Sequence, residues 1–386
     1  MTKQSHIEQL IHDLCPNGVE YTTLKEACRS IAAPKKLAKK DYQEEGLYPI
    51  VDQGKKFIVG YTDDESALVP KAEYVIFGDH TREVKFVDFA FAQGADGLKI
   101  LVAKQDFLPK YLYYCLQNLS VPSRGYNRHW SIACELEVPK PPKPIQEEII
   151  RILDTFAELI QNIDKEIAER QQQYSVANTH YLNSKNQDWK KDTFHNLGKF
   201  YSGLSGKSKE DFSDGNAKFV TYKNVYFNPA IDLNISDKVK VSSEENQNYI
   251  QFGDVLFTGS SETPDECAIS SVVNKQVKEK IYLNSFCFGF RFNDLSGIFI
   301  DFYKHYFRSA EMRVYALKVS HGTTRFNVSK EEFEQIPIPL PSLKDQQAIA
   351  AKLDTIEAFI ANLQEERALR QQQYEYYRAK LISLLK

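Results

Sequence analysis

The segment 139–174 recurs at 339–374, displaced by 200 residues without a gap, and 16 of its 36 positions are identical. The identities include Pro139/Pro339, Pro141/Pro341, Leu153-Asp154-Thr155/Leu353-Asp354-Thr355 and Arg170-Gln171-Gln172-Gln173-Tyr174/Arg370-Gln371-Gln372-Gln373-Tyr374. Each copy opens on prolines, which favour extended backbone for the residue before them, and continues as one apolar stripe. In the first copy Ile149, Ile152, Phe156, Leu159, Ile163 and Ile167 recur at steps of three or four, a coiled-coil-like pattern. In the second, Ile349, Leu353, Ile356, Phe359/Ile360 and Leu363 face inward, followed by Tyr374, Tyr377, Leu381 and Leu385. The pattern predicts a first helix from Ile145 to about Tyr181, 37 residues or roughly 55 Å. Glu147 and Glu148 would lie in its first turn, where they suit the helix dipole. Ser342 caps the second helix, with Asp345 three residues on. A helix this long with a single apolar stripe needs a partner, and the other copy supplies one. Because a globular segment intervenes, an antiparallel pair is the natural geometry, forming a rod with a globular domain near each end. A parallel homodimer through each helix is the alternative.

The frame divides the chain at 1–138, 139–182, 183–335 and 336–386. A short amphipathic helix over 6–14 carries Ile7, Leu10, Ile11 and Leu14 on one face and stops at Cys15-Pro16-Asn17-Gly18. Strands are expected at 48–51, 74–77 and 98–102, with a helix over 109–119. In the second globular segment strands are expected at 218–222, 254–257 and 286–290, with a helix over 300–307. The fold class is thus α+β, two mixed domains separated by a pair of long antiparallel helices in a pseudo-two-fold repeat. The repeat reaches weakly into the globular parts: Gly125-Tyr126-Asn127-Arg128 precedes the first proline stretch and Gly322-Thr323-Thr324-Arg325 the second. Outside such anchors the two segments share little.

No apolar run of about 18 residues is present, so no membrane span is expected. The N-terminus lacks the apolar core of a signal peptide, and the six cysteines show no metal-like spacing. A cytoplasmic chain with reduced thiols and no structural metal is expected. Net charge is −3, which argues against an indiscriminate polyanion binder. The basic residues nevertheless cluster: Lys35-Lys36 with Lys39-Lys40, Lys55-Lys56, Arg124 with Arg128, Lys207 with Lys209, and Arg308, Arg313, Lys318 and Arg325. A balanced domain with clustered cations can bind nucleic acid through one face. Scattered solvated lysines are the alternative.

Catalytic motifs fail on inspection. Ser205-Gly206-Lys207-Ser208 resembles the end of a phosphate-binding loop, but the glycine required five residues before Gly206 is Tyr201. Gly206 instead allows a tight turn from which Lys207 and Lys209 could face a phosphate backbone. No carboxylate cluster of a nuclease completes around Pro264-Asp265, and Asn228-Pro229-Ala230 falls short of an amino-methyltransferase motif. His80, His129 and His321 lack a partner at ligand spacing. Three loops carry binding chemistry. Gly78-Asp79-His80-Thr81-Arg82 follows a strand; Ser123 to Trp130 contains Arg124, Asn127, Arg128 and His129; and His321 to Asn327 contains Thr324 and Arg325. Arginine can pair guanine, and asparagine adenine, while lysine and threonine hold phosphates.

In these features the sequence resembles the specificity (S, HsdS) subunits of Type I restriction–modification enzymes. The carrying residues are the segments 14–21, 77–83, 91–98, 202–208 and 253–258, then Ile338-Pro339-Leu340-Pro341 through Asp345-Gln346-Gln347, and the Gln-Gln-Gln-Tyr helix ends. The resemblance implies two target-recognition domains, each reading half of a bipartite, asymmetric double-stranded DNA site. The helices would set the spacing and dock two methyltransferase (M) subunits, with Ile149, Leu153, Phe156, Tyr174, Ile349, Leu353, Ile356 and Tyr374 as candidate subunit-interface residues. Motor-nuclease (R) subunits would join them. S-adenosylmethionine and ATP with Mg would belong to those partners, this chain having no cofactor and no catalysis of its own. A helical scaffold whose ends bind proteins remains the competing reading. The candidate DNA contacts are Lys35, Lys36, Lys55, His80, Arg82, Arg124, Asn127, Arg128, His129, Lys207, Lys209, Arg313, His321, Thr324 and Arg325.

Overall fold

The structure, a computed structural model, describes residues 5–94, 96–123, 125 and 127–385. The chain divides into two compact units, Met1–Lys165 with Glu365–Lys386, and Glu166–Gln364. Each unit therefore takes one globular domain and a part of both long helices. Among the described residues no helix is long and apolar enough to cross a membrane.

The long helices are Lys143–Leu182 and Leu343–Ser383, which begin at the same position of the repeat. The first starts two residues earlier than its stripe predicts. Pro144 lies in the opening turn, where its missing N–H has no partner to lose and its fixed φ suits the helix. Glu147 and Glu148 accordingly fall beyond that turn, and Glu148 pairs instead with Arg151 at 2.7 Å. At the second start, Asp345 N donates to Ser342 Oγ at 3.2 Å, as expected of a cap.

Both globular domains are built on the same four-stranded antiparallel sheet. In the first the order is Cys28–Ile31, Leu98–Ala103, Tyr74–Gly78, Val84–Val87; in the second it is Gly198–Ser202, Cys287–Phe292, Val255–Thr258, Ser270–Val272. Each sheet is preceded by a short strand and one helical turn, Tyr21–Thr23 with Leu24–Ala27, and Lys190–Thr193 with Phe194–Leu197. That short strand pairs with the proline stretch before the long helix, Tyr21 opposite Pro139 and Lys190 opposite Leu340. Pro139, Pro337 and Pro339 are thus strand residues in two-stranded ladders, where a missing N–H can be tolerated at an edge. A helix packs on each domain, Pro109–Asn118 in the first and Ile300–Tyr306 in the second. The duplication therefore extends from the long helices into the sheet of each globular domain.

Within the first unit, one apolar core joins Phe77, Leu101, Tyr111 and Cys115 to Ile145, Ile149 and Leu153 of the first long helix and to Tyr374, Leu381 and Leu385 of the second. Within the second unit, Phe194, Phe257, Phe290 and Phe333 join Leu182 to Ala350 and Leu353. The long helices run antiparallel in each. Phe156 stacks on Tyr377 at 5.2 Å and Asp164 pairs with Arg367 at 2.7 Å in the first unit. In the second, Arg170 lies 5.0 Å over the Phe359 ring and Tyr174 Oη donates to Glu357 at 2.8 Å. The stripe is covered inside the chain, as expected, although Phe359 remains 42% exposed where burial was expected.

Three identities of the repeat hold each helix to its domain. Gln146 is fully buried; its Oε1 accepts from Leu108 N at 2.8 Å, and Nε2 donates to Asp106 O and Pro141 O, both at 2.8 Å. Gln346 repeats the set with Phe299 N at 2.7 Å, Gly297 O at 2.9 Å and Pro341 O at 2.8 Å. Asp154 accepts from Lys110 at 2.7 Å and from Tyr114, while Asp354 accepts from Lys304 at 2.5 Å and lies 2.7 Å from His305 Nε2. Tyr374 Oη donates to Gln117 at 2.8 Å, and Tyr174 Oη lies 2.9 Å from His305 Nδ1. Gln146→Leu would leave an N–H and two carbonyls unpaired in a dry joint, a loss of about 2–4 kcal/mol. Urea unfolding of the full chain should show the first unit's transition lowered, and Gln346→Leu should lower the second unit's.

Burial alone would raise the Asp354 pKa, but hydrogen bonds from His305 and Lys304 outweigh it and hold the carboxyl below its usual range. A depressed folded-state pKa stabilises the fold above the unfolded value, and that contribution is lost as pH falls through the folded value. Acidification below about pH 4 should weaken the second unit more in the wild type than in Asp354→Asn. Urea midpoints at about pH 3 and about pH 7 measure the difference.

Candidate nucleic-acid interface

In the first domain the loop after Tyr74–Gly78 is a tight turn. Arg82 N donates to Gly78 O at 2.8 Å, and Arg82 itself adopts φ +64°. Asp79 is 2% exposed; its carboxylate accepts from His129 N at 2.9 Å and Trp130 N at 2.7 Å, and its carbonyl accepts from His129 N at 2.8 Å. One buried carboxylate thus ties the end of the segment 123–130 to the 79–82 loop. Gln53 braces the same turn, accepting from His80 N at 3.1 Å and donating to Asp96 O at 3.1 Å. Lys36 pairs with Asp96 at 2.7 Å. The Asp96 carboxyl is held below its usual range, first by the Lys36 hydrogen bond and charge and then by the positive charge of Arg128. Lys36, His80 and Arg128 therefore gather at one end of the domain, and Asn127 is exposed beside Arg128 in sequence.

Other expected contacts of this domain lie differently. His129 is 1% exposed with Nδ1 2.9 Å from Asp79 O, so it belongs to the turn and offers DNA no free edge. Arg82 donates to Val121 O at 3.0 Å and lines a recess with Gln117 and Arg378. Lys35 pairs with Asp64 at 2.5 Å, away from the Asp96 group, and Lys55 is exposed. Arg124 lies outside the described residues.

The second domain places a different set at the equivalent position. Asp79 N donates to Gly97 O at 2.6 Å in the first domain, and Gly259 N donates to Phe286 O at 2.7 Å in the second. His129 N meets Asp79 O, and Val328 N meets Gly259 O at 3.1 Å. Gly97 and Phe286 thus occupy one structural position. At Gly97 (φ +92°) a Cβ would lie 2.7 Å from both Gln53 Oε1 and His80 Cδ2, and the left-handed backbone would strain any side chain placed there. Phe286 instead projects an aromatic ring that is 52% exposed. It borders a cleft of about 670 Å³ lined by Tyr222, Phe227, Ser260, Thr324 and Arg325. The Arg325 guanidinium lies 4.9 Å over the Phe286 ring and Nη2 donates to Ser260 Oγ at 3.2 Å.

Two expected contacts in this domain, Arg313 and Lys207, are framework groups. Arg313 donates to Ala268 O at 2.9 Å, to Asp265 O at 3.1 Å and to Cys267 O, and burial pushes its pKa down. The Lys207 side chain is 6% exposed and lies 2.5 Å from Glu245, whose carboxyl is held down to about 2 by the Lys207 hydrogen bond first. Gly206 does take the positive φ, +66°, that the turn requires. His321 is exposed and lies 2.9 Å from Glu332 Oε2, and Lys209 is exposed. Sequence reasoning missed Phe227, Ser260 and Gln53 as site residues and took Phe286 only as the start of a strand, because an aromatic at a strand end is distinguishable from core only once the strand's last inward residue is known.

A family model described as the Type I restriction modification DNA specificity domain matches the chain twice, over residues 16–170 and 186–370. The Type I restriction enzyme EcoR124I/EcoR124II specificity subunit of Escherichia coli is 27% identical over 417 aligned positions, covering 100% of this chain and 98% of its own. A putative type I restriction enzyme specificity subunit of Haemophilus influenzae is 22% identical, covering 95% of each. The crystal structure of the S subunit of a Type-I restriction-modification system from M. genitalium superposes with a TM-score of 0.55 at 16% identity, over 95% of this chain and 96% of that one. A chain from a structure of type I R-M complex assembly and conformational transition gives 0.55 at 15% identity, over 96% and 98%. Both likenesses concern the fold.

Arg313 provides a test of framework against reader. Arg313→Ala leaves three carbonyls without their cation and is expected to destabilise the second unit by about 2–4 kcal/mol. A thermal melt should register that loss, while whatever protein remains folded should keep its DNA sequence preference.

Proposed function

The chain belongs to the Type I restriction–modification DNA specificity family, and from that premise we propose that it reads a bipartite, asymmetric DNA site, one half through each globular domain. The observation that carries this reading is the shared loop scaffold with different chemistry upon it. Gly97, packed against Gln53 and His80, occupies in one domain the position that Phe286, beside Arg325 and Ser260, occupies in the other. Equal scaffolds give equivalent docking to a duplex, and unequal side chains give unequal half-sites.

The role is non-catalytic. Methyl transfer, ATP hydrolysis and cleavage would fall to two methyltransferase subunits and to motor-nuclease subunits, which would carry S-adenosylmethionine and ATP with Mg. Of the expected interface residues, Ile149, Leu153 and Leu353 are fully buried and Tyr374 is 8% exposed in the chain's own cores. Tyr174 is held by His305 and Glu357. Phe156, Ile349 and Ile356 are half-buried. A docked methyltransferase would therefore meet exposed side chains of the long helices, such as Val176 at 64%, Leu369 at 53% and Tyr376 at 59%.

On this reading the helices set the gap between half-sites. Removing one turn, four residues, from each long helix shortens the pair by about 6 Å. That is nearly two base pairs at about 3.4 Å each. Selection from a duplex pool with variable spacers, using the chain with its methyltransferase partners, should return the same half-sites closer together by one or two base pairs. Unchanged spacing with intact half-sites refutes the spacer role. Loss of DNA binding with rising salt is expected of the wild type, as for any complex that neutralises phosphates.

A further inference from the structure

We propose that the second domain reads a guanine in the major groove through Arg325, with Phe286 and Ser260 holding the guanidinium in its reading position; this rests on the chain being a DNA specificity subunit. The domain holds four arginines in its described residues, and three are committed to the fold. Arg291 grips Asp254 with two bonds, Nε to Oδ1 at 2.8 Å and Nη2 to Oδ2 at 2.7 Å. Arg308 donates to the carbonyls of Ser270, Val225, Tyr226 and Asn228. Arg313 donates to three more. Arg325 is different: it is exposed, it has no carboxylate partner among the described residues, and its one hydrogen bond goes from Nη2 to Ser260 Oγ.

Its position is nonetheless fixed. The guanidinium lies over the Phe286 ring, a contact that favours a planar cation and restricts its tilt. Its backbone follows a left-handed residue, Gly322 at φ +155°, in a hairpin whose returning strand pairs with Ser260 and Ser261. A Cβ at Gly322 would lie 2.0 Å from Arg325 O, so the turn that presents Arg325 admits only glycine. The result is an ordered fork with most of its donors open. Two parallel N–H groups match O6 and N7 of guanine, the commonest specific arginine contact to DNA.

The surroundings favour a base edge over a phosphate. Phe286 and Phe227, 52% and 68% exposed, border the same cleft. Apolar rings suit thymine methyls and base edges and gain little beside phosphate oxygens. Two carboxylates line the cleft, which further disfavours a phosphate: Glu262 is exposed, and Glu266 is held by Tyr226 Oη at 2.8 Å and Ser261 Oγ at 2.9 Å. In the first domain Gly97 removes the aromatic platform, so this mode of reading belongs to one half-site only.

The full-length chain, assembled with its methyltransferase partners, would be incubated with a randomised duplex pool and the bound fraction sequenced. Wild type should enrich a two-part motif with an invariant guanine in one part. Arg325→Ala should relax that position by about 5- to 150-fold while every other position is kept. Arg325→Lys, which keeps the charge and loses the fork, should relax it too, and Phe286→Ala should weaken the preference there with the arginine present. Thermal melts of the three variants should match the wild type. An unchanged motif in Arg325→Ala overturns the proposal, as does a uniform loss of affinity across all sequences, which would mark a phosphate contact. Neither result touches the family reading, whereas a wild-type assembly that enriches no motif removes both.

Discussion

The joint made by one buried glutamine is what the rest of the structure depends on. Each long helix begins directly after a proline-rich strand, with backbone groups that neither the strand nor the helix can satisfy. Gln146 and Gln346 close that gap: one amide accepts from the start of the domain's packing helix and donates to two carbonyls. Tyr111 and Tyr303 add a bond from the packing helix to the carbonyls of Pro139 and Pro339, both at 3.0 Å. With the helix start fixed against the sheet, the opening turns of each apolar stripe enter the core of the domain they follow. That is why the first helix is buried at Ile145, Ile149 and Leu153 and the second at Ala350 and Leu353.

The long-range frame was readable in the sequence because periodicity and repeat survive divergence. The short helix His6–Leu14, the strands Tyr48–Val51 and Leu98–Ala103 and the helix Pro109–Asn118 follow their apolar patterns closely. The common sheet of the two domains left almost no trace. An inward strand position asks only for a suitable apolar volume, so Leu101 in one domain and Phe290 at the same register position in the other serve alike without resembling each other, and the recurrence of Val75 and Phe77 as Val255 and Phe257 is too short to stand out. The identity of Gln146 and Gln346 was visible, but not its cause, since a glutamine on a helix is ordinarily a solvated residue.

The candidate site was legible in outline and not in detail for a related reason. Loop composition singled out the segments 78–82, 123–130 and 321–327; the structure places the first as a turn and the last as a ladder beside strand ends, and ties His129 and Trp130 to Asp79. It could not separate cations that bind from cations that brace. Arg313, Lys207 and Arg325 are alike in sequence context, each in a polar stretch near other basic residues. Only the positions of backbone carbonyls and of Glu245 distinguish them. Desolvating a cation is unfavourable unless carbonyls or a carboxylate replace its water, so the buried ones are necessarily already occupied.

This partition bears on how a chain of net charge −3 could act on DNA. Some of its cations are paired internally, with Asp64, Asp96, Glu245, Asp254 and Asp354 among others. Acidic side chains slightly outnumber basic ones, 52 against 49, so the chain as a whole offers a duplex little net attraction, and the sequence-independent part of binding is electrostatic. A chain so balanced gains little on arbitrary duplex and depends on base contacts for its preference. Strong attachment to the backbone would then come from partner subunits, while discrimination would rest on a few ordered groups such as Arg325. Low intrinsic charge is in that sense a condition for specificity: weaker non-specific binding raises the ratio between the right site and the many wrong ones.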